Sequence, residues 1–113
     1  MLIEWPTLRA RLFESHPEAA FWKLNGDAAM QLPKKVRNRI NEPGMEERRD
    51  LLIRGGLPAD FVRAAPPRGA AADDFLDACA MLLVAARHAR GETVSFPEPP
   101  GHDGRGLEIA IRV

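Results

Sequence analysis

The longest apolar stretch of the chain lies in residues 73–90, DDFLDACAMLLVAARHAR. Within it, residues 75–86 are all apolar or cysteine except Asp77, and no Gly or Pro interrupts the run. Asp73 is a natural N-cap, and Gly91 directly after a basic segment is typical of a helix C-terminus. A helix that is apolar on almost every side is normally covered by surrounding elements. The pattern therefore predicts a central buried helix over residues 73–90.

The flanking patterns predict a small sheet and additional helices. Ser15 and Glu18 match a capping box, so we expect a helix to begin at Pro17 and to end before Gly26. Residues 96–106, FPEPPGHDGRG, carry so many turn residues that they predict a loop. Strands are predicted at residues 9–15 and 107–113, and helices at residues 43–54 and 57–64. We expect an α/β fold in which two or three strands pack with three to four helices around the central helix.

Length and composition narrow the class of protein. A chain of 113 residues suits a single domain over residues 1–113, and its net charge of zero gives no overall field for nucleic acid or anionic lipid. The single cysteine, Cys79, cannot form an internal disulfide, which fits a reducing compartment. No segment has the ~20 consecutive apolar residues of a membrane span, and the first residues lack the apolar core of a signal peptide. We therefore expect a cytoplasmic protein without membrane association.

Two separated acidic positions are candidates for metal chemistry. Asp74 and Asp77 are three residues apart, which places both carboxylates on one face of the central helix. Asp77 stands among apolar neighbours, where a carboxylate is costly to desolvate unless a cation meets it. Glu14 falls at the end of a predicted strand, and separated carboxylates of this kind suit Mg²⁺. Acids near a helix start also complement the helix dipole, so capping and an ordinary salt bridge remain the alternative.

A basic segment lies between the first two predicted helices. Residues 31–41, QLPKKVRNRIN, have little apolar content and four cations. The segment is a candidate phosphate-contacting loop, and a solvated connector is the alternative. The candidate nucleic-acid-binding residues are Lys34, Lys35, Arg37 and Arg39.

Three segments in this order closely resemble one family: LFESHPEAAFWKLNG, then PKKVRNRINEPGMEERRDLL, then PPRGAAADDFLDACAMLLVAARHARGE, with GRGLEIAIRV at the end. The chain resembles the C-terminal half of an uncharacterised bacterial family of predicted RNase H-like nucleases, and its D-x-x-D-A helix is similar to that of RuvC-type resolvases. The resemblance implies metal-dependent phosphodiester hydrolysis with Mg²⁺ or Mn²⁺. It also implies that Glu14, Asp74 and Asp77 are the catalytic, metal-binding acids.

The chain departs from this family at its N-terminal end. The family's domain begins with a strand whose aspartate anchors the metals, whereas the only acid before Arg9 is Glu4, and no Gly follows it. We therefore expect the chain alone to be incomplete or inactive, and the resemblance leaves open whether it is an enzyme by itself. The alternative is a nucleic-acid-binding or structural accessory subunit without catalysis.

A partial RNase H-like domain exposes a sheet edge and an apolar helix, and both favour association. We expect a homodimer, or a partner chain that supplies the missing strands. The interface is predicted to include Leu2, Ile3 and Trp5 together with one face of residues 75–86.

Overall fold

The structure is a computed structural model that describes residues 13–113 of the chain. These residues form a small α/β protein. The helices are α1 (Pro17–Leu24), α2 (Glu42–Arg54), α3 (Ala59–Val62) and α4 (Ala72–Ala89), and the strands are β1 (Lys35–Val36), β2 (Arg39–Ile40), β3 (Ser95–His102) and β4 (Glu108–Arg112). The strands form two separate antiparallel sheets of two strands each, β1–β2 and β3–β4.

The hydrophobic core lies where α1, α2 and α4 pack together. Its largest fully buried side chains come from these three helices and from α3, and Val113 contributes to it as well. Burial of these side chains removes apolar surface from water and supplies most of the folding free energy. The largest are Phe21, Met45, Leu52, Leu76, Val62 and Val113. The central position predicted for residues 73–90 is therefore confirmed.

The start and the outer face of α4 differ from the sequence-based expectation. Ala71 is the N-cap and Asp73 lies buried in the first turn, so the prediction of Asp73 as N-cap is wrong. Burial on nearly all sides is also wrong, because Asp74, Ala78 and Leu82 are exposed, Leu82 by 50%. The physical reason is that α1 and α2 cover the other faces of the helix, which leaves one stripe in solvent.

The segment predicted as a loop is largely a strand. β3 runs through residues 96–102 and pairs with β4 at its two ends, with an irregularity between Phe96 and Gly101. Proline has no N–H to donate to a ladder, and Pro97, Pro99 and Pro100 all lie in the irregular stretch between the two paired ends. The turn residues therefore interrupt the middle of β3 and leave its two ends free to pair with β4.

The predicted acid Glu14 lies beside the C-terminal end of β4. Glu14 forms an isolated parallel bridge with Ile111, and its carbonyl accepts the Arg112 N–H at 2.9 Å. Residues 13–15 therefore lie beside β4, as the predicted small sheet requires, while residues 9–12 lie outside the described part. Ser15 Oγ donates to the Arg112 carbonyl at 2.6 Å and does not cap α1. The capping box prediction is wrong because the hydroxyl bonds the neighbouring strand instead.

The basic segment is a β-hairpin and not an irregular loop. Lys35 pairs with Ile40 and Val36 with Arg39, and all four residues are exposed. The two residues at the turn have positive φ angles, 52° for Arg37 and 64° for Asn38. Positive φ at both central positions is the requirement of the tight type I′ hairpin turn.

The predicted dimer interface is only partly within the described residues. Leu2, Ile3 and Trp5 lie outside them, and the exposed stripe of α4 includes Leu82. The homodimer therefore stays a prediction. Within residues 13–113, no helix combines the length and the apolar character that crossing a bilayer demands.

Candidate functional site

The base of the β1–β2 hairpin is fastened to the first turns of α4 by two ion pairs. Lys34 Nζ lies 2.9 Å from Asp77 Oδ2, and Lys35 Nζ lies 3.3 Å from Asp73 Oδ2. Asp73 and Asp77 are four residues apart and therefore lie one above the other on the helix. Two consecutive lysines thus meet two acids on successive turns.

These pairs shift the pKa values of both kinds of partner. Burial disfavours the charged form of Lys34, but the hydrogen bond from its ammonium to Asp77 and the surrounding carboxylates outweigh burial and raise its pKa above the ordinary value. Burial also works against ionised Asp73, yet the hydrogen bond and charge of Lys35 prevail and hold its pKa below the usual range. Both shifts mean that the charged pairs stabilise the folded state relative to the unfolded chain.

A buried arginine holds the segment that leads into the hairpin. Arg48 is 3% exposed, and its Nη1 donates to the carbonyls of Leu32 at 2.8 Å and Gly44 at 3.1 Å. Its Nη2 contacts Glu18 Oε2 at 3.3 Å, which links the segment to α1. These three contacts make the guanidinium a rigid support, although Arg48 Nε is itself buried without a hydrogen-bond partner among the described residues.

Close packing against α2 also fixes the segment that leads into the hairpin, residues 31–34. A Cβ atom at Gly44 would collide with the backbone of Pro33, so only glycine allows the two backbones to approach this closely. The Glu47 carboxylate accepts the backbone N–H groups of Gln31 at 3.0 Å and Leu32 at 2.9 Å. The residues that lead into the hairpin are therefore held in one position by α2.

The tip of the hairpin contrasts with its base. Arg37 and Arg39 are exposed, and within residues 13–113 neither forms an ion pair. Val36 and Ile40 are also unusually exposed, by 50% and 40%. Of the four basic residues singled out in the sequence, Lys34 and Lys35 neutralise acids of α4, whereas the two arginines present their charge to solvent.

The three predicted metal-binding acids are not brought together by the described residues. Glu14 is exposed beside β4, Asp74 is exposed on α4, and Asp77 is paired with Lys34. Across residues 13–113, no three His, Cys, Asp or Glu side chains gather in a way that could hold a metal ion. The residues present therefore do not make a complete metal site by themselves.

Two carboxylate oxygens nevertheless lack a donor in this region. Asp77 Oδ1 and Glu18 Oε1 are buried without a hydrogen-bond partner among the described residues. Both acids lie close enough to Lys34 for their charges to raise its pKa. An unsatisfied buried oxygen is costly, so these two atoms are where an additional donor or cation would be favoured.

The described part of the chain thus defines a small α/β protein in which a basic hairpin is ion-paired to a central helix. A family described as "Protein of unknown function (DUF429)" matches residues 1–102, and the chain belongs to this family. No curated protein and no solved structure matches the chain. The predicted RNase H-like relationship stays a prediction.

Sequence reasoning identified the residues of this cluster but not their pairing. The cost of burying Asp77 did predict a nearby cation, and the salt bridge kept as the alternative is the arrangement found. Glu18 was assigned to a cap, and Arg48 was considered as a further phosphate-contacting residue, whereas the structure buries Arg48 and places it 3.3 Å from Glu18. The available signal for the pairing was the spacing: Asp73 and Asp77 are four residues apart on one helix face, and the chain offers two adjacent lysines as partners.

Proposed function

We propose that this chain is a nucleic-acid-binding module that contacts phosphate groups through the tip of the β1–β2 hairpin and is not catalytic by itself. The observation that carries the proposal is the position of Arg37, an arginine in the left-handed region at the exposed tip of a firmly anchored hairpin. Binding to phosphate groups also agrees with the four cations of residues 31–41.

Arginine is an unfavourable residue for this turn position. The left-handed conformation costs an ordinary L-residue roughly 1–2 kcal/mol, while Gly, Asn and Asp adopt it readily. Asn38, the other turn residue, is of the tolerated kind, and Arg37 is not. Strained residues that make no compensating contact in the fold occur preferentially at functional sites, because the surrounding structure supports the strain. The strain at Arg37 therefore supports a role for its side chain in binding.

The anchoring of the hairpin explains how so short an element can position a ligand contact. A two-stranded hairpin is marginal in water by itself. Here Lys34 and Lys35 hold it to α4, so little conformational entropy is left to be lost when a ligand binds. Guanidinium groups match phosphate oxygens in a bidentate geometry, and Arg37 and Arg39 supply two of them.

Fluorescence anisotropy with labelled single-stranded and duplex DNA and RNA tests the proposal. We expect Arg37→Asn and Arg39→Gln each to weaken binding about five- to tenfold, which corresponds to about 1–1.4 kcal/mol. Each should also lower the slope of log K against log salt by about 0.7–0.9, as expected for one lost phosphate contact.

Arg68→Gln is the matched control, because Arg68 is an exposed arginine in the connector before α4, outside the hairpin. It should leave affinity and salt slope nearly unchanged. Equal losses for all three variants would show that binding is a general charge effect, and unchanged binding in both hairpin variants would contradict the proposal.

A second candidate function, metal-dependent phosphodiester hydrolysis, is favoured by Asp77 Oδ1. This buried oxygen has no hydrogen-bond donor among the described residues. Glu14, Asp74 and Asp77 are the acids that the family resemblance implies, and Mg²⁺ or Mn²⁺ would activate water in such a reaction. Because residues 13–113 do not complete a metal site, this function requires further ligands, for example from a partner chain.

Calorimetric titration with MnCl₂ tests the second candidate separately from nucleic-acid binding. Saturable Mn²⁺ binding that is lost in Asp77→Asn and kept in Asp50→Asn would support it, since Asp50 lies on α2 with Arg63 as its partner. Absence of saturable binding would contradict this second candidate and leave Asp77 as the structural partner of Lys34.

A further inference from the structure

A cavity of about 180 Å³ lies between α1 and α4, away from the hairpin. The end of the chain closes one side of it through Val113, whose backbone is hydrogen-bonded in both directions with Val94. None of the lining residues belongs to β1 or β2 or to the acids that pair with them. The cavity is therefore a separate feature of the molecule.

The walls of the cavity are mostly apolar. They include the buried side chains of Ala20, Leu83 and Val84 and the partly buried Leu24. A dry cavity of about 150 Å³ with such walls is large enough for one benzene ring. The space thus suits a single ring or a short aliphatic chain and is too small for a nucleotide.

Two cations also line this cavity, so its lining is not purely apolar. Lys23 and Arg87 belong to α1 and α4, respectively, and both are only partly buried. Lys23 pairs with Asp27 at 3.0 Å on the surface, an exposed contact of small energetic value. Within residues 13–113, Arg87 forms no ion pair, and its Nη2 donates only to the carbonyl of Glu92 at 2.9 Å.

The charge of Arg87 is the feature that indicates an anion, because no carboxylate among the described residues forms an ion pair with it. Its Nε is also buried without a hydrogen-bond partner among those residues, so the Glu92 carbonyl satisfies the guanidinium only in part. A carboxylate in the cavity would balance this charge, because Arg87 belongs to the cavity lining. Apolar walls beside a cation suit an amphipathic anion.

We propose that this cavity binds a small monocarboxylate with an apolar body of one ring or a short chain. The body occupies the space between Leu24, Leu83 and Val84, and the carboxylate lies against Arg87 with Lys23 nearby. This inference is independent of nucleic-acid binding, because the two sites share no residue.

Isothermal titration calorimetry with benzoate as the probe tests the proposal directly. We expect saturable 1:1 binding with a Kd of about 1 mM or tighter, a range that a ligand of this size can reach. Benzyl alcohol has the same ring without the charge and should bind at least about tenfold more weakly, the effect of losing one charge-assisted hydrogen bond. Binding of benzyl alcohol as tightly as benzoate would overturn the assignment of an anion site.

Matched arginine variants identify the site in the same titration. Arg87→Gln should weaken benzoate binding at least about tenfold. Arg90→Gln should leave it unchanged, because Arg90 lies at the C-cap of α4 and pairs with Glu92. Lys23→Gln should have a smaller effect and provides a second test if Arg87→Gln does not fold. Absence of saturable benzoate binding up to about 10 mM, or equal losses in the Arg87 and Arg90 variants, would overturn the proposal.

Discussion

The two β-ribbons in residues 13–113 are both antiparallel pairs of strands, but they are held in place differently. In the β1–β2 hairpin all four strand residues are exposed, and the attachment to the body is made by the ion pairs of Lys34 and Lys35. The β3–β4 ribbon instead buries Ala110 and adjoins Val113, which is 1% exposed in the core. One ribbon is docked by charge and the other by apolar contact.

This difference determines how each ribbon responds to its surroundings. Apolar burial is largely insensitive to pH and to moderate salt, whereas ion pairs weaken when a partner is protonated or when salt screens it. The attachment of the hairpin is therefore the one that pH and salt can change, and the hairpin also carries Arg37 and Arg39, which form no ion pair within residues 13–113. The ribbon at the C-terminal end is part of the core.

The largest effect is expected where the hairpin base meets α2. In Gly44→Ala the new methyl group collides with the Pro33 backbone, which cannot move like a side chain, so we expect a loss of about 3 kcal/mol. Gly104→Ala is the control from the other ribbon, where nothing lies within 4 Å of the added Cβ. Urea unfolding of both variants measures the difference, and equal stabilities would contradict the close approach.

The next effect compares the same substitution in the two ribbons. Val113→Ala removes buried methyl groups from the core and should cost about 2 kcal/mol. Val36→Ala removes them from a half-exposed hairpin position and should change stability by less than about 0.5 kcal/mol. Denaturant melts decide the matter, and a loss at Val36 as large as that at Val113 would show that the hairpin too is docked by apolar contact.

A smaller effect concerns the pH dependence of the hairpin attachment. The folded pKa of Asp73 is lowered by Lys35, so the unfolded chain binds more protons just below the ordinary pKa of aspartate. Stability from this pair is therefore present above pH ~4 and is lost as pH falls through the folded value.

Asp73→Asn should cost about 1 kcal/mol at neutral pH and should flatten the acid limb of the stability profile. Asp74→Asn, at the exposed neighbour, is the control and should change neither. The measurement is denaturation at a series of pH values between neutral and acidic. An unchanged acid limb in Asp73→Asn would mean that the pair does not contribute to stability.

The smallest effect has the opposite sign. Arg37→Asn replaces a strained residue by one that tolerates positive φ, so the protein should become more stable by about 0.5 kcal/mol. The same variant is expected to bind nucleic acid less tightly. A thermal melt beside the anisotropy measurement shows whether stability and binding change in opposite directions, and a destabilised variant would contradict the account of strain.

The sequence predicted the helical part of the molecule well because that part follows one periodicity. The apolar run of α4 located the core helix, and Asp77 within it indicated a nearby cation without identifying Lys34 as its partner. The extent of β3 was not predictable, because its prolines are acceptable only where they fall between the paired ends, and β4 determines where those ends are. The pairing of Lys35 with Asp73 is equally a product of tertiary contact.

The candidate site was predicted in its residue types and not in its arrangement. Glu14, Asp74 and Asp77 share no local signal that would show their relative positions, and the structure leaves two of them exposed on separate elements. The choice of Arg37 and Arg39 over Lys34 and Lys35 as the exposed cations depends on which residues face α4. That information arises only when hairpin and helix are packed together.

The most direct measurement incubates the purified chain with end-labelled DNA and RNA in Mg²⁺ or Mn²⁺ and reads binding and cleavage in the same samples. We predict salt-dependent binding that decreases in Arg37→Asn, with the labelled strands remaining intact, because residues 13–113 hold no complete metal site. Cleavage that requires the divalent ion and disappears in Asp77→Asn would contradict this prediction and would establish the chain as a nuclease by itself.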